Sequence, residues 1–388
     1  MRLLSLELKD FRNHRSARAP LDGEPTLLLG ENGSGKTNWI EGAVLLSIGR
    51  SFRGARDRDL LRRGEAGFEV RGEIMGRAGV RSEIVARGVS RGPREVTVDG
   101  EALPRLGDLL GRFPTVHFSV EDVASLNGAP SGRRRFLDVA LCQLEPAYVG
   151  HLRDYTAALK QRNRLLVERA EVSPDEFAAW EEILARSGAE LDRRREDLTA
   201  ELDRVLRELA EGLDPTLKPV LEYAGMGLAG TGEGGDGASG PGAGEEAVAH
   251  RMARLESLRF RDRRLGWTSE GPHRAAVGCK IGGCELNDGA SRGMSRLYSS
   301  LLRLALARVL DARLEEPAVV FLDDPESELD PRWIGRLLAL VPETSQAIVT
   351  ACRPLSEMPT RYRVIDIESL GATGATATAA TTAHATAG

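Results

Sequence analysis

With 388 residues, 41% of them hydrophobic, the chain is long enough for two cores or for one domain that carries a large insertion. Its formal net charge of −5 gives no global pull toward nucleic acid, so any phosphate-backbone contact must come from local basic patches. The four scattered cysteines, Cys142, Cys279, Cys284 and Cys352, suit neither a disulfide framework nor a paired metal-ligand motif.

The opening MRLLSLELKDF places charges among its apolar residues, which leaves no signal-peptide core, and no later apolar run reaches membrane-spanning length; a cytoplasmic protein is expected. LLSLELKDF alternates as a strand does, and Pro25 to Leu29 form a short, continuously apolar run of the buried-strand kind. A glycine-punctuated loop follows from Gly30 to Gly35. From Thr37 onward, Ile40, Ala43, Val44 and Ile48 mark one face of a helix. Residues 66–102 contain FEVRGEIM, RSEIVAR and REVTVDGEAL, the pattern of an antiparallel sheet.

From Pro146 to about Leu213 the pattern turns helical and charged. Leu184, Leu191, Leu198 and Val205 recur every seven residues, with Leu202 and Leu209 in the alternate seam, while Arg194 and Arg195 interrupt it; a turn is expected at Val172 to Glu176. A short antiparallel helical arm and an ordinary helical subdomain both fit. Gly225 to Glu246 read as a flexible insertion and the Ala/Thr/Gly tail as disordered. Ser295 to Leu310 read as a helix, Ala318 to Asp324 as a second buried strand, Trp333 to Leu340 as a helix and Gln346 to Ala351 as a third strand. Strands separated by helices, drawn from both ends of the chain, predict an α/β fold with a parallel sheet.

GENGSGKTN, Gly30 to Asn38, contains the full G-x-x-x-x-G-K-[ST] spacing between a strand and a helix. Backbone N–H groups of Gly30, Glu31, Asn32, Gly33, Ser34 and Gly35 would wrap phosphates at a helix N-terminus. Lys36 would reach the β- and γ-phosphates of ATP, and Thr37 would ligate Mg²⁺. The run VVFLDD ends in Asp323 and Asp324, and two adjacent carboxylates repel unless a cation or a proton separates them. Asp323 is assigned to the Mg²⁺ shell, and Asp324 to orienting the attacking water. Asp pairs also cap helices, but beside a phosphate loop the catalytic assignment takes precedence.

DFRNH, GENGSGKTN, GRSFRG, FSVEDV, GAPSGRRRFLD, GPHR and FLDDPESELDPRW, in this order over about residues 1 to 355, resemble the RecF family of SMC-like recombination mediators. SGRRRFLD and GPHR carry the discrimination from transporter ATPases and SMC proteins. The resemblance implies an ABC-type P-loop ATPase head, a parallel sheet core with an antiparallel β subdomain, and an inserted helical arm. Its boundaries would be 1–145 and 248–370 for the two halves of the head, 146–224 for the arm, 225–247 for the glycine-rich insertion and 371–388 for the tail.

It further implies an ATP-dependent homodimer that binds single- and double-stranded or gapped DNA, hydrolyses ATP slowly under stimulation by DNA, and works with RecO and RecR to load RecA. Arg12 and Asn13 would lie near the nucleotide, Ser327 to Asp330 would form the D-loop, and Thr350 would stand at the switch position next to the nucleotide. GASRGMSRL, Gly289 to Leu297, would be the signature loop, with Ser291 and Gly293 meeting the nucleotide held by the other subunit. The arm carries no C-x-x-C, which excludes a zinc hook.

The chain departs from the family pattern at Met294 in the signature loop, at Ala275 and Ala276 after GPHR, and in lacking a glutamine near FSVEDV. Arg50, Arg53, Arg56, Arg58, Arg62 and Arg63 form either a DNA-facing patch or a solvated surface paired with Asp57 and Asp59. Arg133 to Arg135 suit phosphate contacts or ion pairs, and His273 a structural role. The rival readings are a transporter-type ATPase, which the arm argues against, and a RecF-derived scaffold that binds ATP and a protein partner without loading DNA.

Overall fold

The computed structural model describes residues 1–119, 124, 126–168, 173–225, 243–328, 330–341, 345–355 and 361–371. Most of the glycine-rich insertion, the tail, Val172 of the expected turn, Val120 to Val123 of FSVEDV and Leu329 of the expected D-loop lie outside them. In chain order the elements begin with β1 (Arg2–Phe11), β2 (His14–Pro20), β3 (Thr26–Leu29), α1 (Lys36–Ile48), α2 (Asp57–Leu60), β4 (Gly67–Met75), β5 (Arg81–Val89), β6 (Glu95–Val98), β7 (Glu101–Ala102) and β8 (Thr115–Phe118). Next come α3 (Pro130–Leu144), α4 (Pro146–Val167), α5 (Pro174–Leu213), β9 (Val220–Ala224), α6 (Ala243–Leu265), β10 (Ala276–Ile281) and β11 (Cys284–Glu285). The chain closes with α7 (Arg292–Leu314), β12 (Val319–Leu322), α8 (Pro325–Glu328), α9 (Pro331–Leu340), β13 (Ala347–Ala351) and β14 (Arg363–Asp366).

Two compact units result. The first takes Met1–Ala124, Glu208–Thr216 and the chain from Ala290; the second takes Ser125–Arg207 and Leu217–Gly289. In the first unit a six-stranded antiparallel sheet runs β2-β1-β4-β5-β6-β7, and a five-stranded sheet runs β14-β3-β13-β12-β8. Every registered pair in the five-stranded sheet is parallel. Helix α1 lies in one apolar cluster with both sheets: Trp39, Val44 and Leu46 share it with Leu6, Leu8 and Val70 on one side and with Val319, Phe321 and Ile348 on the other. Ten of its thirteen residues are buried, the mark of a helix enclosed between layers rather than laid on one.

The second unit contains α3, α4, most of α5, α6 and the small antiparallel sheet β11-β10-β9. It thus takes in α3 and residues 225–289 as well as the expected arm apart from Glu208–Thr216. The predicted seam is buried, with Leu191, Leu198 and Leu202 at 0% exposure. Arg195 completes it instead of interrupting it: the guanidinium, 4% exposed, grips Asp138 through Nε at 2.9 Å and Nη2 at 3.0 Å, and reaches the Pro272 carbonyl at 2.8 Å. Arg162, fully buried, joins Glu181 at 3.0 Å and Asp262 at 2.7 Å. Among the described residues no helix is long and apolar enough to cross a membrane.

Removing one member of a buried, hydrogen-bonded ion pair strands the other. Arg195→Ala is therefore expected to lower the unfolding free energy by about 3–5 kcal/mol, read from the shift of the guanidinium chloride midpoint; a shift confined to the range of an exposed substitution would remove Arg195 from the core of the unit.

Candidate functional site

Three adjacent parallel strands bring the sequence-predicted residues together. β13 lies between β3 and β12, so the loop after β3, the acids after β12 and the end of β13 meet at the carboxyl ends of the strands, where α/β folds hold their ligands. Gly30 N–H donates to the Ala351 carbonyl at 3.3 Å, tying the start of the loop to β13. Lys36 is buried, and its Nζ donates to the carbonyls of Gly30 at 2.6 Å and Glu31 at 2.9 Å. Glu31, Asn32 and Gly33 are exposed at the loop's crest. The Ser34 hydroxyl is buried without a hydrogen-bond partner.

The turn between β1 and β2 braces this loop from below. Asn13 donates to the Ser34 carbonyl at 3.2 Å and accepts from the Asn38 amide at 2.8 Å, and His14 Nε2 meets the Gly35 carbonyl at 3.1 Å. Gly35 sits at φ 106°, and a Cβ there would lie 2.5 Å from His14 Nε2, so no other residue fits. Arg12 turns away from the loop: it forms a two-pronged contact with Glu41, both arms at 2.8 Å, and donates to the Asp59 carbonyl. Glu41 is fully buried and also accepts from the Ser51 hydroxyl.

Opposite the loop, Thr37 hydrogen-bonds Asp323. Burial holds the Asp323 carboxyl above the usual carboxylate range; hydrogen bonds from Thr37 and Thr350 and the charge of Arg53 draw it back down, and Asp324 pushes it up again. A half-buried carboxyl with a second acid beside it and a hydroxyl from the loop form an oxygen set that suits Mg²⁺, a cation that takes one or two carboxylates and completes its shell from phosphate and water.

Thr350, expected beside the nucleotide, is fully buried and acts on the acids: its hydroxyl donates to Asp323 Oδ1 at 2.8 Å and accepts from the Asp324 N–H at 2.9 Å. This holds Asp324 at φ 45°, a left-handed conformation that Asp tolerates better than most residues. Of the expected D-loop, the Ser327 hydroxyl donates to the Asp324 carbonyl at 2.8 Å.

The expected signature loop heads α7. Ser291 caps α7 by accepting from the Met294 N–H at 3.2 Å, and Gly293 is exposed with open space where a side chain would begin. No hydrogen bond among the described residues joins either of them to the phosphate loop. Met294 serves the cap through its backbone, so its side chain costs that interaction nothing.

Sequence reasoning missed three contributors. Cys352 donates to the Asn32 side chain at 2.9 Å, and its sulfur lies 3.5 Å from Lys36 Nζ; its signal was a place two residues beyond Thr350, just past the end of the expected strand. Arg53 Nη1 reaches Asn38 at 3.1 Å and acts on Asp323, which its place in GRSFRG foreshadowed. His14 followed Asn13 directly. In the second unit Arg133 donates to the carbonyls of Leu126 and Val277, and Arg134 to that of Ala275, so these arginines serve backbone groups. His273 accepts from or donates to Tyr155 at 2.6 Å and meets the Thr268 carbonyl, a structural setting.

Residues 2–367 match the family model described as the RecF/RecN/SMC N terminal domain. The DNA replication and repair protein RecF of Anaeromyxobacter dehalogenans strain 2CP-C is 38% identical over 365 residues, spanning 90% of this chain and 92% of that protein. RecF of Synechococcus sp. strain JA-2-3B'a(2-13) is 34% identical, with 90% and 91% covered. A solved structure of the recombination mediator protein RecF with ATP in the RecFOR pathway superposes with a TM-score of 0.83 at 26% identity, covering 94% of this chain and 95% of its own. An Smc head bound to the C-terminal winged-helix domain of ScpA, at 14% identity and TM-score 0.53, shares the fold.

Burial holds the His14 imidazole below its ordinary value. The unfolded chain then binds the proton more readily than the folded one, so stability present above about pH 6.5 is lost as the pH falls below it. His14→Gln, which keeps a donor for Gly35, is expected to flatten the acid limb of the thermal midpoint between about pH 7 and 5; calorimetry across that range checks it, and an unchanged limb would clear His14.

Proposed function

This chain belongs to the RecF family, and from that premise we propose that it is an ATP-dependent, DNA-binding recombination mediator whose head hydrolyses ATP slowly under stimulation by DNA. The observation that carries the reading is the convergence of Lys36 and Thr37 with Asp323, Asp324 and Thr350 at the carboxyl ends of the central parallel strands. ATP lies with its phosphates in the Gly30 to Gly35 loop, Lys36 meets the β- and γ-phosphates, and Asn13 and Asn38 flank the loop. Arg12 supports the site through Glu41 and the Ser51 to Arg53 segment. Thr37 and Asp323 hold Mg²⁺, which when bound neutralises phosphate charge. Asp324, aimed by Thr350, orients the attacking water.

Gly293 and Ser291 support the dimer: a Cβ on the glycine would point into open space, and the serine heads a helix whose N-terminus suits an anion from outside. Two heads thus close over ATP, each signature loop completing the partner's site. Arg53, Arg56 and Arg63, all exposed, form with Arg58, which lies 3.6 Å from Asp59, the local basic patch that duplex or gapped DNA requires, while Arg62 pairs with Glu65 and Asp57 with Arg94. The protein acts in the cytoplasm with RecR and RecO to bring RecA to DNA. A scaffold role without DNA loading is separated from this by salt-dependent DNA binding measured with and without ATP.

Lys36→Arg and Asp324→Asn are each expected to abolish phosphate release, and full turnover in both would overturn the assignment. Thr350→Val keeps the volume but removes the hydroxyl, and is expected to cut turnover by about 10- to 100-fold while leaving ATP affinity nearly unchanged; parallel loss of affinity would mean that Thr350 touches the nucleotide itself. Ser291→Arg is expected to block the ATP-dependent rise in mass seen by light scattering.

A further inference from the structure

The second unit presents a surface that none of these roles uses. The end of α6 and the turn after it read RFRDRRLGW from Arg259 to Trp267. Phe260 is 77% exposed and Trp267 45%, and Val167, at 61%, stands beside the turn, since a Cβ on Gly266 would lie 3.4 Å from it. The rings are held on a rigid mount. Gly266 N–H closes the helix on the Asp262 carbonyl at 2.7 Å, and the Thr268 N–H and hydroxyl both donate to Asn163 at 2.8 Å. Buried Arg162 clasps Asp262 and Thr268 together at 2.7 and 2.9 Å.

The charge this stretch offers to solvent has one sign. Asp262, its acid, is buried against Arg162, whereas Arg261, Arg263 and Arg264 are exposed, as is Arg164 one turn before Val167. Acids also lie near: exposed Glu256 is 3.5 Å from Arg259, half-buried Glu270 pairs with Arg254 at 2.6 Å and lies 3.9 Å from Arg261, and Glu168 is exposed. A protein partner would favour a contiguous apolar centre depleted of charge. Here aromatic rings alternate with arginines, the composition that binds a strand by stacking its bases and neutralising its phosphates. In a duplex the base faces are already stacked on one another, so only an unpaired strand has them to give.

We propose that this surface binds single-stranded nucleic acid, with bases stacked on Phe260 and Trp267 and phosphates met by Arg261, Arg263 and Arg264. The inference deepens the DNA-binding reading and rests on it: the head patch takes the duplex and the arm takes the strand.

The test uses the full chain and two fluorescent probes, oligothymidylate of about 12 nucleotides and a duplex of the same length. The Phe260→Ala, Trp267→Ala double variant is expected to bind oligothymidylate about 100-fold more weakly, tenfold for each ring, and Arg264→Glu about tenfold more weakly at low salt. Duplex binding stays within about twofold of the parent and the melting temperature is unchanged, because these side chains are exposed. Oligothymidylate bound equally well by the parent and both variants overturns the proposal. So does a parent that binds duplex but not oligothymidylate, an outcome that leaves the DNA-binding reading standing; a parent that binds neither overturns both. Capture of a glutamate-rich peptide that is lost in the double variant, with oligothymidylate affinity unmoved, assigns the surface to a protein partner and overturns it as well.

Discussion

The burial of α1 between two sheets is the constraint on which the rest of the first unit depends. A helix that rests on one layer can slide or tilt by a fraction of a turn, but one whose apolar residues are matched on both sides is fixed along its axis and about it. Its N-terminus begins at Lys36, so packing done by Trp39, Val44 and Leu46 sets where the lysine, the threonine after it and the exposed N–H groups of the loop stand. The loop need not supply its own rigidity. It is braced by Asn13 and His14 below and by Ala351 alongside, each of which reaches a main-chain group of the loop.

A second constraint, of a different kind, shapes the helical unit. Arg162 and Arg195 are placed where a leucine would ordinarily go, each surrounded by carboxylates, hydroxyls and carbonyls. Buried ion pairs of this sort add little net stability over apolar packing, but they penalise every arrangement in which a charge loses its partners. Arg195 joins α3, α5 and the GPHR segment, and Arg162 joins α4, α5 and α6. Together they fix the mutual placement of helices whose apolar seams alone would permit slippage.

These two constraints also explain what was legible in the sequence. The phosphate loop was readable because its chemistry is local: glycine spacing, a lysine and a threonine suffice to state it. The acids were readable because an apolar run ending in two aspartates is unusual in itself. Thr350 was placed at the right strand end with a different partner in view, since a threonine's spacing says nothing about which neighbour takes its hydroxyl. Arg195 read as a break in the seam because charge in a heptad signals solvent until its carboxylate is known, and Asp138 lies on another helix. Helices α3 and α6 escaped notice for the same reason: their apolar faces are completed by elements remote in the chain.

The strand that carries the phosphate loop has its own bearing on how the molecule comes into being. β3 pairs with β13 on one side and β14 on the other, and with neither before Ala347 has been made. During synthesis the loop's sequence is complete early, yet its scaffold waits for nearly the whole chain, a loop closure of high contact order. The intervening helical unit, built from residues closer together in sequence, can mature first. A chain cut before Ala347 therefore carries the glycine-rich loop motif without either of the strands that flank and shape it.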